Sequence, residues 1–412
     1  MTVPPSGAVC RVRVRMRPRE IDEPHRTASQ LELLFDLTFV VAVAAVTARF
    51  AHDIADGNAV AGLVPFLQVF FAVWWAWMNF TWFASSYDTD DVAYRLLTMV
   101  QMAGVLVLAA GVPAAAGRSD YRAVAIGYLI MRTALVAQWL RAGREDPAGR
   151  RTALRYALGI TVAQAGWILW LVSAEAGILT STAQVPFFVV LAFLELAVPR
   201  WAERTSPTTW HPHHIAERYG LFTIILFGES VLAASNAVAR GLDEADVNHR
   251  LVVIAGSGLV LLFALWWLYF LVPAGTSLND RRHLSYRWGY GHYGIFASLA
   301  ALGAGLEVAV EQTAHDLKAS PLTVCYAVAI PAALYVLLLW RVHMPILGAP
   351  VLRPAVVLCG TAAIVLLPPA AAQTGVVTVV ASISAICVVM TVLTLVRNRD
   401  ASPERTPIAD PP

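Results

Sequence analysis

One apolar stretch, residues 214–235, is long enough to cross a bilayer as a helix and yet contains three charged side chains. They are Glu217, Arg218 and Glu229. Glu229 lies 12 residues beyond Glu217, about 18 Å further along a helix and near the middle of a membrane. A carboxylate at that depth is costly, so it is expected to bind a proton or cation or to pair with another charge. We therefore expect a polar membrane site at Glu217, Arg218, Glu229 and Ser230.

A second polar group lies in the first apolar stretch, where Glu32 and Asp36 are four residues apart and would share one helix face. Ser29-x-x-Glu32 is the pattern of a capping box, which gives Glu32 a structural role at the helix start. Asp36 lies one turn deeper, where capping no longer explains it. Asp36 is therefore either a structural polar contact or a residue of a transport pathway.

Arg132 falls near the middle of another apolar stretch, where a guanidinium group needs an acceptor. Glu229 has a similar predicted depth, so the sequence predicts an ion pair between Arg132 and Glu229. We expect Glu195 and His292 to lie toward the cytoplasmic surface and Glu307 toward the outer one. Gln101 is a further buried polar residue, and Asn79 and Thr81 are neutral groups that could line a polar path.

Three carboxylates, Asp88, Asp90 and Asp91, stand close together after the second apolar stretch. Such a group supplies the oxygen ligands of a hard cation and could form a metal site. Alternatively, the three aspartates cap the next helix and complement its dipole. The sequence leaves both interpretations open. The nearby histidines of the segment 210–214 have no acidic or cysteine partner at ligand spacing, so we assign them no metal.

The composition requires most of the chain to face lipid. Of the 412 residues, 58% are hydrophobic and 14% charged, against about 25% charged in a soluble domain. Charge, proline and glycine divide the chain into twelve predicted spans: 31–51, 61–83, 95–116, 121–140, 153–174, 183–199, 214–239, 251–272, 289–310, 322–341, 351–368 and 375–396. The first apolar run is too long for the core of a signal peptide, so we expect it to be retained as a span.

The basic residues predict the orientation. If the N-terminus is cytoplasmic, the inside segments hold 22 arginines and the outside loops hold 5 basic residues, which predicts that both termini are cytoplasmic. We expect a multi-pass protein of the bacterial inner membrane, whose partners are the lipid bilayer and a small ion or solute. The net charge of +2 gives no reason to expect nucleic acid. No cofactor is expected, and homo-oligomer formation stays open.

The fold predicted is an all-α polytopic membrane protein, with two parallel six-helix repeats. The pattern of Glu32 and Thr38 recurs at Glu217 and Thr223, and other matches follow in the same order along the chain. A binding site is expected between such repeats, near the midplane. The predicted divisions are a disordered basic N-terminus at 1–28, repeat 1 at 29–199, a cytoplasmic linker at 200–213, repeat 2 at 214–396 and a disordered tail at 397–412.

Four stretches resemble the bacterial low-temperature-requirement A (LtrA) family of integral membrane proteins. The resemblance extends over about residues 28–396 and implies the membrane fold. The family name records a growth phenotype, so the resemblance implies no particular reaction. The stretches are Glu32-Leu-Leu-Phe-Asp36-Leu-Thr-Phe39, Phe80-Thr-Trp-Phe-Ala-Ser-Ser-Tyr-Asp-Thr-Asp-Asp91, Glu217-Arg-Tyr-Gly-Leu-Phe-Thr-Ile-Ile-Leu-Phe-Gly-Glu-Ser230 and Gly305-Leu-Glu307.

Three functions fit these features. The first is a transporter or channel in which Asp36 and Glu229 bind a proton or cation and Arg132 acts as counter-charge. The second is a membrane-embedded enzyme for a lipid-linked substrate, with a metal held by the three aspartates. The third is a non-catalytic sensor or stress-tolerance protein whose polar residues only join helices. The sequence contains none of the familiar hydrolase or nucleotide-binding motifs, which weighs against an enzyme of a soluble type.

Overall fold

The computed structural model describes residues 12–21, 23–24, 26–244, 249–271, 274–348 and 351–400, and within these ranges the regular structure is entirely helical. Long apolar runs fold this way because a helix satisfies its own backbone hydrogen bonds, which lipid cannot do. Twelve helical segments of the described residues are long and apolar enough to cross a membrane. The prediction of an all-α polytopic protein with twelve spans is therefore confirmed. The orientation and the internal repeat stay predictions.

Fourteen α-helices follow one another along the described residues, and two of them, α9 and α13, are too short to span a membrane. In chain order the helices are α1 Gln30–Ala55, α2 Ala59–Tyr87, α3 Val92–Arg118, α4 Arg122–Glu145, α5 Arg150–Glu175, α6 Ser181–Ala202, α7 Pro212–Glu244, α8 His249–Phe270, α9 Ala274–Asp280, α10 Ser285–Glu311, α11 Pro321–Leu347, α12 Pro354–Leu366, α13 Ala371–Thr374 and α14 Val376–Asp400.

The chain divides into two compact units. Unit 1 consists of Met1–Asp53 and Asn58–Glu229, and unit 2 of Ile54–Gly57 and Ser230–Pro412. The helix α7 therefore belongs to unit 1 up to Glu229. The predicted division into two six-helix repeats at 29–199 and 214–396 stays a prediction.

Within unit 1, α3 packs along α4, α4 along α5, and α5 along α6. The backbones of α3 and α4 approach closely at Gly127, where an added Cβ would overlap the backbone of Leu108. Small residues give membrane helices this close approach. Within unit 2 the main pairs are α10 with α11 and α8 with α14. Gly305 of α10 has the same role there, because a Cβ at this position would overlap the carbonyl of Ala327.

The eleventh predicted span differs from the structure at its C-terminal end. The sequence predicts one helix over 351–368, whereas α12 ends at Leu366 and a 3₁₀ turn follows at Pro368–Ala370 before α13 begins. Proline at 368 and 369 explains the break, because it lacks a backbone N–H and disfavours helical geometry in the residue before it. The whole candidate span is Pro354–Thr374.

The predicted disorder of residues 1–28 is wrong for the part of this segment that the structure describes. The backbone N–H of Val14 donates to Asp91, that of Met16 to Glu145 and that of Arg19 to the carbonyl of Ser86. The alternation of arginine with Val14 and Met16 explains the ordering, because it places apolar side chains on one side, and Met16 is fully buried. Residues 1–11 lie outside the described residues.

The predicted linker and the predicted C-terminal tail have different boundaries in the structure. The linker predicted at 200–213 is shorter, since α6 ends at Ala202 and α7 begins at Pro212. Helix α14 ends at Asp400, so residues 397–400 of the predicted tail are helical. Residues 401–412 lie outside the described residues.

Candidate functional site

Four ionisable side chains of α1 and α7 meet inside unit 1, and we call them the charge cluster: Glu32, Asp36, His214 and Arg218. All four are buried, with at most 2% of any residue exposed. Arg218 donates to both oxygens of Asp36, Nε to Oδ2 at 2.9 Å and Nη2 to Oδ1 at 2.7 Å. Its Nη1 lies 2.9 Å from Oε1 of Glu32. His214 Nε2 lies 3.1 Å from the same Glu32 oxygen.

Helical spacing brings these four residues together. Glu32 and Asp36 are four residues apart on α1, and His214 and Arg218 are four apart on α7, so each pair lies on one helix face. The capping box predicted at the start of α1 is confirmed. The backbone N–H of Ser29 donates to Oε2 of Glu32 at 2.7 Å, and the N–H of Glu32 donates to Oγ of Ser29 at 3.3 Å. Glu32 therefore caps its helix with one oxygen and approaches α7 with the other.

Aromatic side chains enclose the charge cluster within unit 1. Trp77 of α2 donates its indole N–H to Oδ1 of Asp36 at 2.7 Å and is fully buried. The ring of Trp77 lies against Tyr219 and Phe222 of α7, at centroid distances of 5.0 and 4.4 Å. These rings keep the ion pairs in an apolar environment, where charge interactions are stronger than in water.

The charge cluster does not balance its own charge when His214 is neutral. Glu32 and Asp36 carry two negative charges in their ionised forms, and Arg218 carries one positive charge. A proton on His214 brings the sum to zero. A buried net charge is costly, so the cluster is suited to take up one proton or one monovalent cation.

The surrounding ionisable groups that the structure describes do not supply the missing positive charge. Glu217 is half-buried and accepts a hydrogen bond from the backbone N–H of Ala28 at 3.2 Å, so it adds a further carboxylate beside Arg218. Arg26 lies 3.5 Å and Arg19 3.9 Å from Asp88, and Arg19 also pairs with Glu23, so these two arginines have two carboxylates of their own.

The predicted ion pair between Arg132 and Glu229 is wrong, because Arg132 pairs with Glu195 of α6. Arg132 and Glu195 are 1% and 0% exposed. Glu195 also accepts hydrogen bonds from the indole of Trp75 at 2.9 Å and the hydroxyl of Tyr128 at 2.9 Å. Glu195 is therefore fully buried among its partners, and its depth on the cytoplasmic side stays a prediction. The many donors explain how a carboxylate is tolerated at this depth.

The three aspartates predicted as a metal site contact different arginines. Asp88 lies 3.5 Å from Arg26, and Asp90 receives two hydrogen bonds of 2.7 Å from Arg95. Among the described residues, no group of three or more His, Cys, Asp or Glu side chains could hold a metal ion. These carboxylates therefore do not converge on a common point.

Asp91 has the capping role that the sequence offered as the alternative. It precedes α3 and accepts the N–H of Tyr94 at 2.9 Å. Burial opposes its ionisation, but hydrogen bonds from Arg141 and from the backbone N–H groups of Val14 and Tyr94 lower the pKa of Asp91 to about 2. A permanently ionised carboxylate at this position stabilises the start of α3.

Asp88 behaves differently from Asp91. Burial, together with the negative charge of Glu32, raises the pKa of Asp88 to about 6, against the opposing effect of Arg26 and Arg19. The connection between α2 and α3 therefore interacts electrostatically with the charge cluster.

The remaining predicted site residues lie outside the charge cluster. Glu229 is 7% exposed and lies 11 residues beyond Arg218 on α7, a distance of about 16 Å. Ser230 belongs to unit 2, where its hydroxyl lies close to Gly303. Asn79 donates to the carbonyl of Trp75 in its own helix at 2.7 Å.

Two predicted residues lie in unit 2. His292 is fully buried rather than directed to the surface. Its Nδ1 lies 2.7 Å from the carbonyl of Trp288 and therefore carries the proton, while Nε2 lies 3.1 Å from the hydroxyl of Tyr269. Glu307 of α10 is half-buried.

Sequence reasoning missed His214, Trp77 and Glu195 as partners of the buried charges. His214 was grouped with the histidines of the preceding loop. Its spacing of four residues from Arg218, which matches that of Glu32 and Asp36, was a usable signal. The partners Trp77 and Glu195 depend on how the helices pack, for which the sequence contains no comparable pattern.

The sequence model of the bacterial low temperature requirement A protein (LtrA) family matches residues 27–395. A protein of Rhizobium meliloti (strain 1021), described as uncharacterized protein RA0937, is 29% identical over 303 residues, which are 68% of each chain. No solved structure matches. With the family pattern extending over all twelve spans, this multi-pass membrane protein belongs to the LtrA family.

Proposed function

We propose that this chain is a transporter or channel of the bacterial inner membrane that moves a small ion or solute in a process coupled to a proton or a monovalent cation. The charge cluster is the coupling site. The observation that supports this proposal is the imbalance of the buried cluster, which holds two carboxylates and one arginine. Ionisable groups inside membrane spans are typical of proton relays and ion pathways.

The coupling step takes place between His214 and Glu32. A proton that enters the cluster binds the imidazole of His214, which then pairs with Glu32, and the cluster becomes neutral. When the proton leaves, one negative charge is uncompensated and attracts either a new proton or a cation. Arg218 stays bound to Asp36 in both states and holds α7 against α1. The alternation between a neutral and a charged site gives the two states that coupling needs.

Ion flux into liposomes that contain the purified protein tests this function. A panel of gradients of H⁺, Na⁺, K⁺ and Cl⁻ is applied to the wild type, to Glu32→Gln and to Glu175→Gln. Glu175 is an exposed carboxylate at the end of α5 and serves as the matched control. We expect flux in the wild type and in the control, and background flux in Glu32→Gln.

Two outcomes would contradict the proposal. The wild type could show no flux under any of the gradients, although it is folded by size-exclusion chromatography. Alternatively, Glu32→Gln could transport at the wild-type rate. Absence of flux in the wild type, with unchanged folding of all three proteins, would favour a non-catalytic role.

A further inference from the structure

Six arginines of unit 1 gather where α4 ends and α5 begins. We call them the arginine surface: Arg13, Arg15, Arg141, Arg144, Arg150 and Arg151. All but Arg141 are exposed. The first two come from the N-terminal segment, the next two from the last turns of α4 and the final two from the first turn of α5. Distant parts of the sequence therefore build one basic surface.

Hydrogen bonds fix the N-terminal segment against the ends of α3 and α4. The backbone N–H of Val14 donates to Asp91 at 2.9 Å, and its carbonyl accepts from Arg141 at 2.6 Å. The N–H of Met16 donates to a Glu145 oxygen at 2.6 Å. Arg15 donates through Nε to the carbonyl of Glu145 at 2.8 Å. These bonds already hold Arg13 and Arg15 beside α4. Binding of a ligand to these side chains therefore has little additional entropic cost.

The carboxylates that contact the arginine surface are too few to neutralise it. Asp91 pairs with Arg141, and Glu145 lies 3.2 Å from Arg13. Asp146 is buried and accepts from the hydroxyl of Tyr87 at 2.9 Å. Two contacting carboxylates, Asp91 and Glu145, therefore stand against six arginines.

Four arginines of this surface have no carboxylate partner in the part of the chain that the structure describes. They are Arg15, Arg144, Arg150 and Arg151. All four are exposed, so their guanidinium groups have donors directed at the surroundings. A guanidinium group matches the oxygens of a phosphate in geometry as well as in charge. The protein's own carboxylates therefore bind only some of the guanidinium groups of the arginine surface.

We propose that the arginine surface binds phosphate groups. It lies at the ends of three membrane spans, the level at which phospholipid headgroups are found, and clusters of arginine next to spans attract anionic lipids. Two sources supply the same chemistry: the phosphodiester of an anionic phospholipid and a free phosphate ion. The proposal does not depend on the transport function.

Native mass spectrometry of the purified protein tests binding of the lipid. The protein is incubated with an equimolar mixture of phosphatidylglycerol and phosphatidylcholine. The variant Arg15→Gln/Arg144→Gln/Arg150→Gln removes three charges from the arginine surface. The control Arg200→Gln/Arg204→Gln/Arg353→Gln removes three exposed arginines elsewhere. We expect phosphatidylglycerol to be retained preferentially by the wild type and the control, and the preference to disappear in the first variant.

Calorimetric titration with inorganic phosphate separates the two sources. The protein is held in nanodiscs that contain only phosphatidylcholine. Binding heat in the wild type that is absent in the first variant identifies free phosphate as a ligand as well. Equal lipid retention by both triple variants would overturn the proposal. So would a wild type that neither prefers phosphatidylglycerol nor responds to phosphate.

Discussion

At the scale of single residues, the cost of buried charge explains which groups contact each other. Arg218 lies between two carboxylates, and Arg132 meets one carboxylate that also has neutral donors. Each arrangement lowers the cost of placing a guanidinium group away from water. The difference is that Glu195 is fully supplied with donors, whereas the charge cluster depends on His214 for its balance. The charge cluster is therefore the better candidate for a group that changes its protonation.

Replacing Arg218 should destabilise unit 1 strongly. Arg218→Gln leaves Asp36 and Glu32 buried without a permanent cation, and we expect a loss of about 3–5 kcal/mol in the free energy of unfolding. Denaturant unfolding in mixed micelles measures this loss, with the exposed Arg200→Gln as control. Adding Asp36→Asn to Arg218→Gln should restore part of the stability, because it removes one uncompensated charge. A single variant as stable as the wild type would exclude the ion pairs described.

A double-mutant cycle distinguishes the two partners proposed for Arg132. The variants Arg132→Leu and Glu195→Gln should show a coupling energy of about 0.5–3 kcal/mol, because the two side chains are in contact. The cycle of Arg132→Leu with Glu229→Gln should give a coupling near zero. Free energies of unfolding in mixed micelles supply both values. A larger coupling to Glu229 would restore the pair expected from the sequence.

At the scale of helices, the sequence predicts much of the charge cluster but not which side chains of neighbouring helices pair with the buried charges. Glu32 and Asp36 follow a helical spacing and a capping box, which the sequence displays directly. Depth alone pairs Arg132 with the wrong carboxylate, because depth along a helix does not determine which face meets which neighbour. One residue changes the depth by only about 1.5 Å, so several acids are within reach of one long side chain. The choice depends on α4, α5 and α6 packing in sequence.

Asp88, in the connection between α2 and α3, should make the free energy of unfolding depend on pH. The pKa of Asp88 rises to about 6 in the folded protein from an ordinary value of 3.8, so the folded state binds its proton more tightly than the unfolded state. This contribution to stability is complete at pH values below 3.8 and is lost as the pH rises through 6.

Asp88→Asn removes this dependence, because asparagine carries no titrating proton. The melting temperature of the variant relative to the wild type should therefore increase between pH 4.5 and pH 7.5, by an amount that corresponds to roughly 1–3 kcal/mol. Thermal unfolding in detergent at several pH values supplies the comparison. A difference that stays constant over this range would show that burial of Asp88 does not influence its ionisation.

At the scale of the whole molecule, composition and charge predicted the fold class well. Apolar runs separated by arginine and proline gave twelve spans, and the structure has twelve candidates. The order of the N-terminal segment was not predictable from composition, because it depends on Asp91 and Glu145, which are distant in sequence. The break between α12 and α13 is a local feature instead, because Pro368 decides the geometry there and the predicted span ends at this residue. Features that depend on one stretch were found, whereas features that join distant stretches were missed.

Proton flux through His214 variants shows whether the charge cluster couples transport to a proton. His214→Gln removes the group that balances the charge cluster, and His213→Gln changes the adjacent, exposed histidine. Both variants and the wild type are placed in liposomes with a pH-sensitive dye inside, under the ion gradient that drives flux in the wild type. We expect wild-type flux for His213→Gln and background flux for His214→Gln. Wild-type flux for His214→Gln would contradict this expectation.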